Sequence, residues 1–162
     1  MTDDEIIDRI RGQARPAPLP PPAPPQAVAD LEAAVGHPMP ALLRRIYLDV
    51  ANGGFGRWDS ALSLTEDGDE PPVLEAYLAW REGYGQDYPT PVVPLLTWGC
   101  AIWSLVDFST PEGRMWGWDP HGACARHRLF PERFTLAERL TGWLDGREDF
   151  PQPPVPTDCP HC

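Results

Sequence analysis

Residues 31–56 read LEAAVGHPMPALLRRIYLDVANGGFG, a pattern that predicts two short helices and a sharp turn. Apolar residues recur at helical spacing up to Gly36, a typical helix end, and Pro38 and Pro40 prevent one continuous helix. A second apolar stripe follows, made of Leu42, Leu43, Ile46, Tyr47 and Val50. The run 52–54, Asn-Gly-Gly, tolerates positive φ, so we expect the second helix to end in a sharp turn.

Upstream of this stretch the sequence predicts a helix and a proline linker. Thr2 and Glu5 have capping-box spacing ahead of an isoleucine stripe, which predicts a helix within residues 1–15. Residues 16–25 are rich in proline and should form an extended linker. We place the main domain at residues 26–149 and predict a mobile, proline-rich tail at residues 150–162.

Downstream, the periodicity predicts two more helices and a set of strands. Residues 72–83 and 135–144 have helical apolar spacing. The run around Pro94 indicates an edge or irregular strand, whereas residues 100–108 alternate with apolar residues on both faces and predict a central strand. A turn at 109–113 then leads to a returning strand. These elements predict an α+β domain.

Three sequence blocks, at residues 31–56, 93–119 and 134–143, resemble in content and order those of the SMI1/KNR4 family, also called the SUKH superfamily. The family's N-terminal signature has the form "LE..LG..LP..LR..Y...NGG.G". The matching residues here are Leu31, Glu32, Gly36, Pro40, Leu43, Tyr47, Asn52, Gly53, Gly54 and Gly56. Residues 93–119 resemble the family's central strands, with Trp98-Gly99 opening one strand and Asp107 closing it, and the helix at residues 134–143 follows. The resemblance implies helices flanking a twisted, mainly antiparallel sheet.

Composition is typical of a small cytoplasmic protein. The chain has 162 residues, of which 42% are hydrophobic, enough for one domain with its own core. No run approaches the roughly 18 apolar residues of a membrane-spanning helix, and the first residues lack the pattern of a signal peptide. The four cysteines are too sparse for a secreted disulfide framework and are interpreted as reduced thiols.

Charge points to a protein partner. The net charge is −11 and every basic residue is arginine, which argues against nucleic acid or an anionic membrane as a direct partner. Residues 61–99 contain seven acidic residues and one basic residue, Arg81. This segment therefore carries more than half of the chain's excess negative charge. One interpretation is a solvated loop that leads into a helix start. The other is a partner-binding surface made of Glu66, Asp67, Asp69, Glu70 and Glu75.

Seven tryptophans in one domain also suggest binding, because tryptophan is enriched at interface hot spots. Trp80, Trp98, Trp103 and Trp143 lie within apolar patterns and are expected in the core. Trp116 and Trp118 share one face of the returning strand and are the second candidate partner-binding set. Trp58 is assigned to neither group.

Several patterns suggest a metal-binding or catalytic site, and each also has a simpler interpretation. A zinc site could form from Cys124, His127, Cys159 and Cys162, but the long separation of the two pairs favours unliganded thiols. Cys100 with Asp107 lacks a recognisable base and oxyanion hole, so Cys100 is interpreted as a small buried residue. The chain has no lysine to reach a phosphate. We therefore predict no catalytic residue, no metal and no cofactor.

The resemblance further implies a non-catalytic binding protein, most often an immunity protein that neutralises a cognate bacterial toxin. A basic nuclease toxin would suit the acidic surface. The alternatives are an intracellular scaffold or regulatory module that binds a host protein or peptide, and a zinc-dependent module. We expect a monomer.

Overall fold

Four antiparallel strands form a sheet in which each strand pairs with the next along the chain. The strands are β1 (Val92–Thr97), β2 (Trp103–Asp107), β3 (Arg114–Trp118) and β4 (Leu129–Thr135). Five helices surround the sheet: α1 (Asp3–Gly12), α2 (Pro25–Val35), α3 (Ala41–Asp49), α4 (Val73–Tyr84) and α5 (Leu136–Leu144). The predicted α+β class, with helices around an antiparallel sheet, is confirmed.

The computed structural model describes residues 1–13, 18–66, 70–85, 88–121, 127–147 and 150–153. Within these ranges no helix has both the length and the apolar character needed to cross a bilayer.

The main core lies on one face of the sheet. Strand residues Val93, Val106 and Met115 are buried there against Ile46 of α3 and Leu140 of α5. The opposite face carries a smaller cluster around Leu105 and Trp118. Because β2 contributes to both clusters, the predicted central strand with two apolar faces is confirmed.

Helix α1 belongs to the main core. The predicted capping box between Thr2 and Glu5 is present, and Ile6, Ile7 and Ile10 are buried. Arg9 anchors the helix to the end of α5, since its guanidinium lies 2.8 Å from Asp145 and donates to the Leu144 carbonyl at 2.6 Å.

The described part of the proline linker is fastened to the domain by backbone hydrogen bonds. Ala23 N–H donates to the Tyr47 carbonyl at 2.8 Å, and Asn52 N–H donates to the Pro21 carbonyl at 2.9 Å. Prolines donate no backbone hydrogen bonds, so Ala23 supplies the linker's own donor and Asn52 supplies a donor to it.

The Asn-Gly-Gly turn after α3 has the predicted geometry, with φ of 87° at Gly53 and 67° at Gly54. Gly54 N–H donates to the Ala61 carbonyl at 2.9 Å. A Cβ atom on Gly53 would lie 2.9 Å from backbone atoms of Ala61 and Leu62. The turn therefore needs glycine both for its conformation and for the close approach of a second segment.

That second segment, residues 60–65, covers the outer edge of β1. Leu62 N–H donates to the Leu95 carbonyl and Thr97 N–H to the Ser60 carbonyl, both at 3.0 Å. β1 is irregular between Pro94 and Leu96, as the proline predicts. The segment thus protects an edge strand that would otherwise present unpaired backbone groups.

The start of β2 differs from the prediction. Alternation placed the strand at residues 100–108, opened by Trp98-Gly99, but β2 begins at Trp103. Gly99, Cys100 and Ala101 have φ of 79°, 51° and 60° and form a left-handed turn between β1 and β2. Cys100 is exposed in this turn, so its interpretation as a small buried residue is wrong. Asp107 closes the strand as predicted.

The C-terminal third contains one strand, β4, that the apolar periodicity does not predict. β4 runs directly into α5, where Thr135 and Glu138 form a second capping box. Beyond α5, the Phe150 ring lies 5.4 Å from the Trp98 ring and Pro151 is buried. Residues 154–162 of the predicted mobile tail lie outside the described residues.

The turn geometry predicts a large stability loss for Gly53→Val. Strain at positive φ and overlap with the Ala61–Leu62 backbone should together lower the free energy of unfolding by at least about 2 kcal/mol. Gly36→Val is the matched control, because Gly36 has φ of 78° and no atom within 4 Å of its added Cβ. Urea denaturation should show the smaller loss for Gly36→Val. Equal losses would mean that the close approach of residues 61–62 contributes nothing.

Candidate functional site

Helix α4 separates a buried face from a face open to solvent. Val73, Ala76 and Tyr77 are buried, and the Tyr77 hydroxyl donates to the Thr90 carbonyl at 2.9 Å. Leu78 is 52% exposed, although it belongs to the apolar pattern from which this helix is predicted. An exposed leucine beside a groove suggests a contact surface rather than a scattered apolar residue.

Leu78 lies in an open groove that we call the α4 groove. Its lining residues are Leu64, Pro72, Leu74, Glu75, Leu78, Ala79 and Glu82. The apolar members come from α4 and from the two segments that precede it. Glu75 and Glu82 stand on α4 among them, both exposed. The groove thus combines apolar lining residues with two exposed acidic residues.

The acidic residues near the groove are not neutralised. Within the described residues, the side chains of Glu66, Glu70, Glu75 and Glu82 form neither an ion pair nor a hydrogen bond. Elsewhere exposed acids do have cationic partners, such as Asp4 with Arg45 at 2.7 Å. Three of these glutamates belong to the predicted acidic surface. Its other two members, Asp67 and Asp69, lie outside the described residues.

Arg81 is the basic residue nearest to these glutamates in the sequence, and it faces backbone carbonyls instead. Its guanidinium donates to the Tyr88 carbonyl at 2.6 Å and to the Gly85 carbonyl at 3.3 Å. A cation at a helix C-terminus is favourable there because it meets the negative end of the helix dipole. Arg81 therefore stabilises the end of α4 and leaves these glutamates uncompensated.

Trp118, one of the two predicted binding tryptophans, is only 7% exposed. Its ring packs 5.2 Å from Trp80 and 4.7 Å from Tyr84, both on α4. Trp116, on the same face of β3, is half-buried. Neither residue lines the α4 groove, so the structure does not bring the two predicted binding sets into one site.

Trp58 is the exposed tryptophan that sequence reasoning left unassigned. Its side chain is 68% exposed and its backbone has φ of 53°, an unusual conformation for a bulky residue. The Arg57 guanidinium lies 4.1 Å from the Trp58 ring centroid, and Trp98 meets the ring edge-on. No sequence pattern signalled this conformation, because neither neighbour of Trp58 is apolar.

A buried polar network lies between the sheet and α5. The Trp98 indole donates to Ser104 Oγ at 3.0 Å, and Ser104 Oγ donates to Glu132 at 2.8 Å. Glu132 pairs with Arg139, and each side chain is 4% exposed. The Arg139 guanidinium also lies 4.5 Å from the Phe134 ring centroid. Ser104 is fully buried, so its hydroxyl is closed to solvent within the folded domain.

Most of the candidate zinc ligands lie outside the residues that the structure describes. Cys124, Cys159 and Cys162 lie outside the described residues, and His127 alone is within them. The described part of the chain contains no cluster of three or more His, Cys, Asp or Glu side chains that could hold a metal ion.

Of the residues that line the α4 groove, the sequence identified Glu75 as a candidate and missed Leu78 and Glu82. Glu66 and Glu70, the other described members of the predicted acidic surface, do not line the groove. A usable signal was present: Leu74 and Leu78 are four residues apart, and Glu75 and Glu82 are seven apart on the adjacent helical row. Leu64 could not be found in this way, because the turn at Asn52 brings it to the groove from a distant segment.

The buried ion pair predicts opposite outcomes for single and double replacement. Arg139→Met alone leaves the Glu132 carboxylate buried without its cation, and should cost about 3–5 kcal/mol of unfolding free energy. Glu132→Leu combined with Arg139→Met removes both charges and should recover most of that loss. Chemical denaturation of the two variants checks this. A double variant as unstable as Arg139→Met would show that the pair itself supplies the stability.

Comparison with known proteins yields no relative: no family model, no curated protein and no solved structure matches this chain.

Proposed function

We propose that this chain is a non-catalytic binding protein that acts as an immunity protein against a cognate bacterial toxin. The observation that carries the proposal is the α4 groove, in which exposed Leu78 lies among glutamates that have no partner within the described residues. The resemblance of residues 31–56 to the SMI1/KNR4 family supports the immunity role. The site of action would be the cytoplasm, where a nuclease toxin meets its target.

The partner that best fits this surface is a basic protein, such as a nuclease. Complementary potentials accelerate encounter and disfavour wrong partners, and the effect weakens as salt screens the charges. With a net charge of −11, the chain as a whole attracts a cationic toxin. The groove adds apolar area, which stabilises the complex after encounter.

Toxin neutralisation is tested directly in cells. A toxin gene beside the gene for this protein should arrest growth when expressed alone, and co-expression of this chain should restore growth. The purified toxin and this chain should form a one-to-one complex by light scattering. Growth arrest that persists at high levels of this chain, with no complex, would contradict the immunity role.

The charge contribution predicts a change in association kinetics. Replacing Glu66, Glu70, Glu75 and Glu82 with glutamine should slow association with the toxin about tenfold at low salt and flatten the salt dependence. Dissociation should change less, because screened surface charges act mainly on encounter. Stopped-flow or surface plasmon resonance measures both rates.

A control variant with the same net charge separates local from global effects. It carries amides at four other exposed acids, namely Asp8, Asp30, Asp49 and Glu112. Association of this control should stay close to that of the parent protein. Equal slowing by the two variants would mean that net charge, and not the α4 groove, guides the toxin.

A further inference from the structure

The described backbone around the α4 groove disfavours one common recognition mode, strand addition. Strand addition requires an extended edge with free N–H and C=O groups. Here one wall is helix α4, and the Leu64 N–H already donates to Asn52 Oδ1 at 2.7 Å. Pro72 has no N–H, and its carbonyl accepts from Ala76 N–H at 2.9 Å. These contacts disfavour strand addition and favour recognition through side chains.

The side chains of the groove form two parallel rows on α4. Leu74 and Leu78 lie one turn apart in the apolar row. Glu75 and Glu82 lie two turns apart in the adjacent row, a separation of about 10.5 Å along the helix axis. An apolar row beside an acidic row fits a partner element that carries an apolar row beside a basic row.

An α-helix supplies that arrangement at the required spacing. Residues at i and i+7 of a helix lie on the same face, two turns apart, and i+3 and i+4 lie between them. Basic residues at i and i+7 would face Glu75 and Glu82, while aliphatic residues between them would pack against Leu78. Two copies of this chain do not fit together groove to groove, because this would place glutamates opposite glutamates.

We infer that the α4 groove is the docking site for an amphipathic basic helix of the partner protein. The inference deepens the proposed function by naming the element of the toxin that is bound. Leu74 and Leu78 provide the apolar contact, and Glu75 and Glu82 select basic residues seven positions apart.

The test uses a synthetic peptide of about 18 residues, long enough to form a helix in water. Its leucines form one helical row and its arginines lie seven apart on the adjacent row. Two control peptides have the same length: one has its arginines moved out of register, and one has a central proline that breaks the helix. Binding is measured by fluorescence anisotropy, and the contact surface by amide chemical shifts of the labelled full-length protein.

We expect the helical peptide to shift amides of α4 and Leu64, and to bind at least about tenfold more tightly than either control peptide. Leu78→Ala and the double variant Glu75→Gln/Glu82→Gln should each weaken binding about tenfold. The matched controls Trp58→Ala and Asp8→Asn/Glu112→Gln remove an exposed aromatic side chain and two exposed charges elsewhere, and should leave binding unchanged. Thermal melting verifies that every variant is folded.

Three results would overturn the inference: equal binding of the proline peptide, equal binding by the groove variants, or no binding at millimolar peptide. Each is distinguishable from failure of the proposed function. Growth rescue without peptide binding would retain the immunity role and reject the helix-docking groove. Peptide binding in the groove without growth rescue would retain the helix-docking groove and reject the immunity role.

Discussion

The Asn52 side chain holds together the part of the molecule from which both the sheet edge and the α4 groove are built. Its carboxamide is buried, accepts from Leu64 N–H at 2.7 Å and donates to Thr65 Oγ1 at 2.6 Å. The backbone N–H of Asn52 donates to the Pro21 carbonyl. One residue therefore joins the proline linker, the end of α3 and residues 60–65. A buried amide with all these partners fixes a single arrangement, because losing any one would leave a buried polar group unsatisfied.

A second buried hydrogen bond reinforces this arrangement. The Tyr47 hydroxyl donates to the Leu62 carbonyl at 2.7 Å, and burial raises the pKa of Tyr47 far above its ordinary value. The phenol therefore stays protonated and remains a donor at neutral pH. With residues 60–65 held by Asn52 and Tyr47, Leu64 reaches the α4 groove as a fixed lining residue. The groove is thus preformed, which lowers the entropy lost when a partner binds.

Sequence reasoning succeeded where local rules decide and failed where distant contacts or unusual dihedrals decide. Capping at Thr2, the glycines after α3 and the irregularity at Pro94 are local effects of single residues. By contrast, positive φ at Cys100 leaves the apolar alternation intact, so the strand was extended by three residues. The buried charge of Glu132 obscured β4, because its partner Arg139 lies on α5 and no periodicity in the strand reveals that pairing.

The candidate site shows the same division. The sequence suggested two candidate binding sets, the acidic residues and the tryptophans of β3. Only the contacts in the structure distinguish between these two sets. Trp118 already packs against Trp80 and Tyr84, so most of its apolar area has left water within the domain itself. Leu78, by contrast, is 52% exposed, and the glutamates around it have no ion pair among the described residues, although Arg81 lies on the same helix. Exposed apolar area and unpaired charge therefore coincide at the α4 groove, which is why the proposed binding site is placed there.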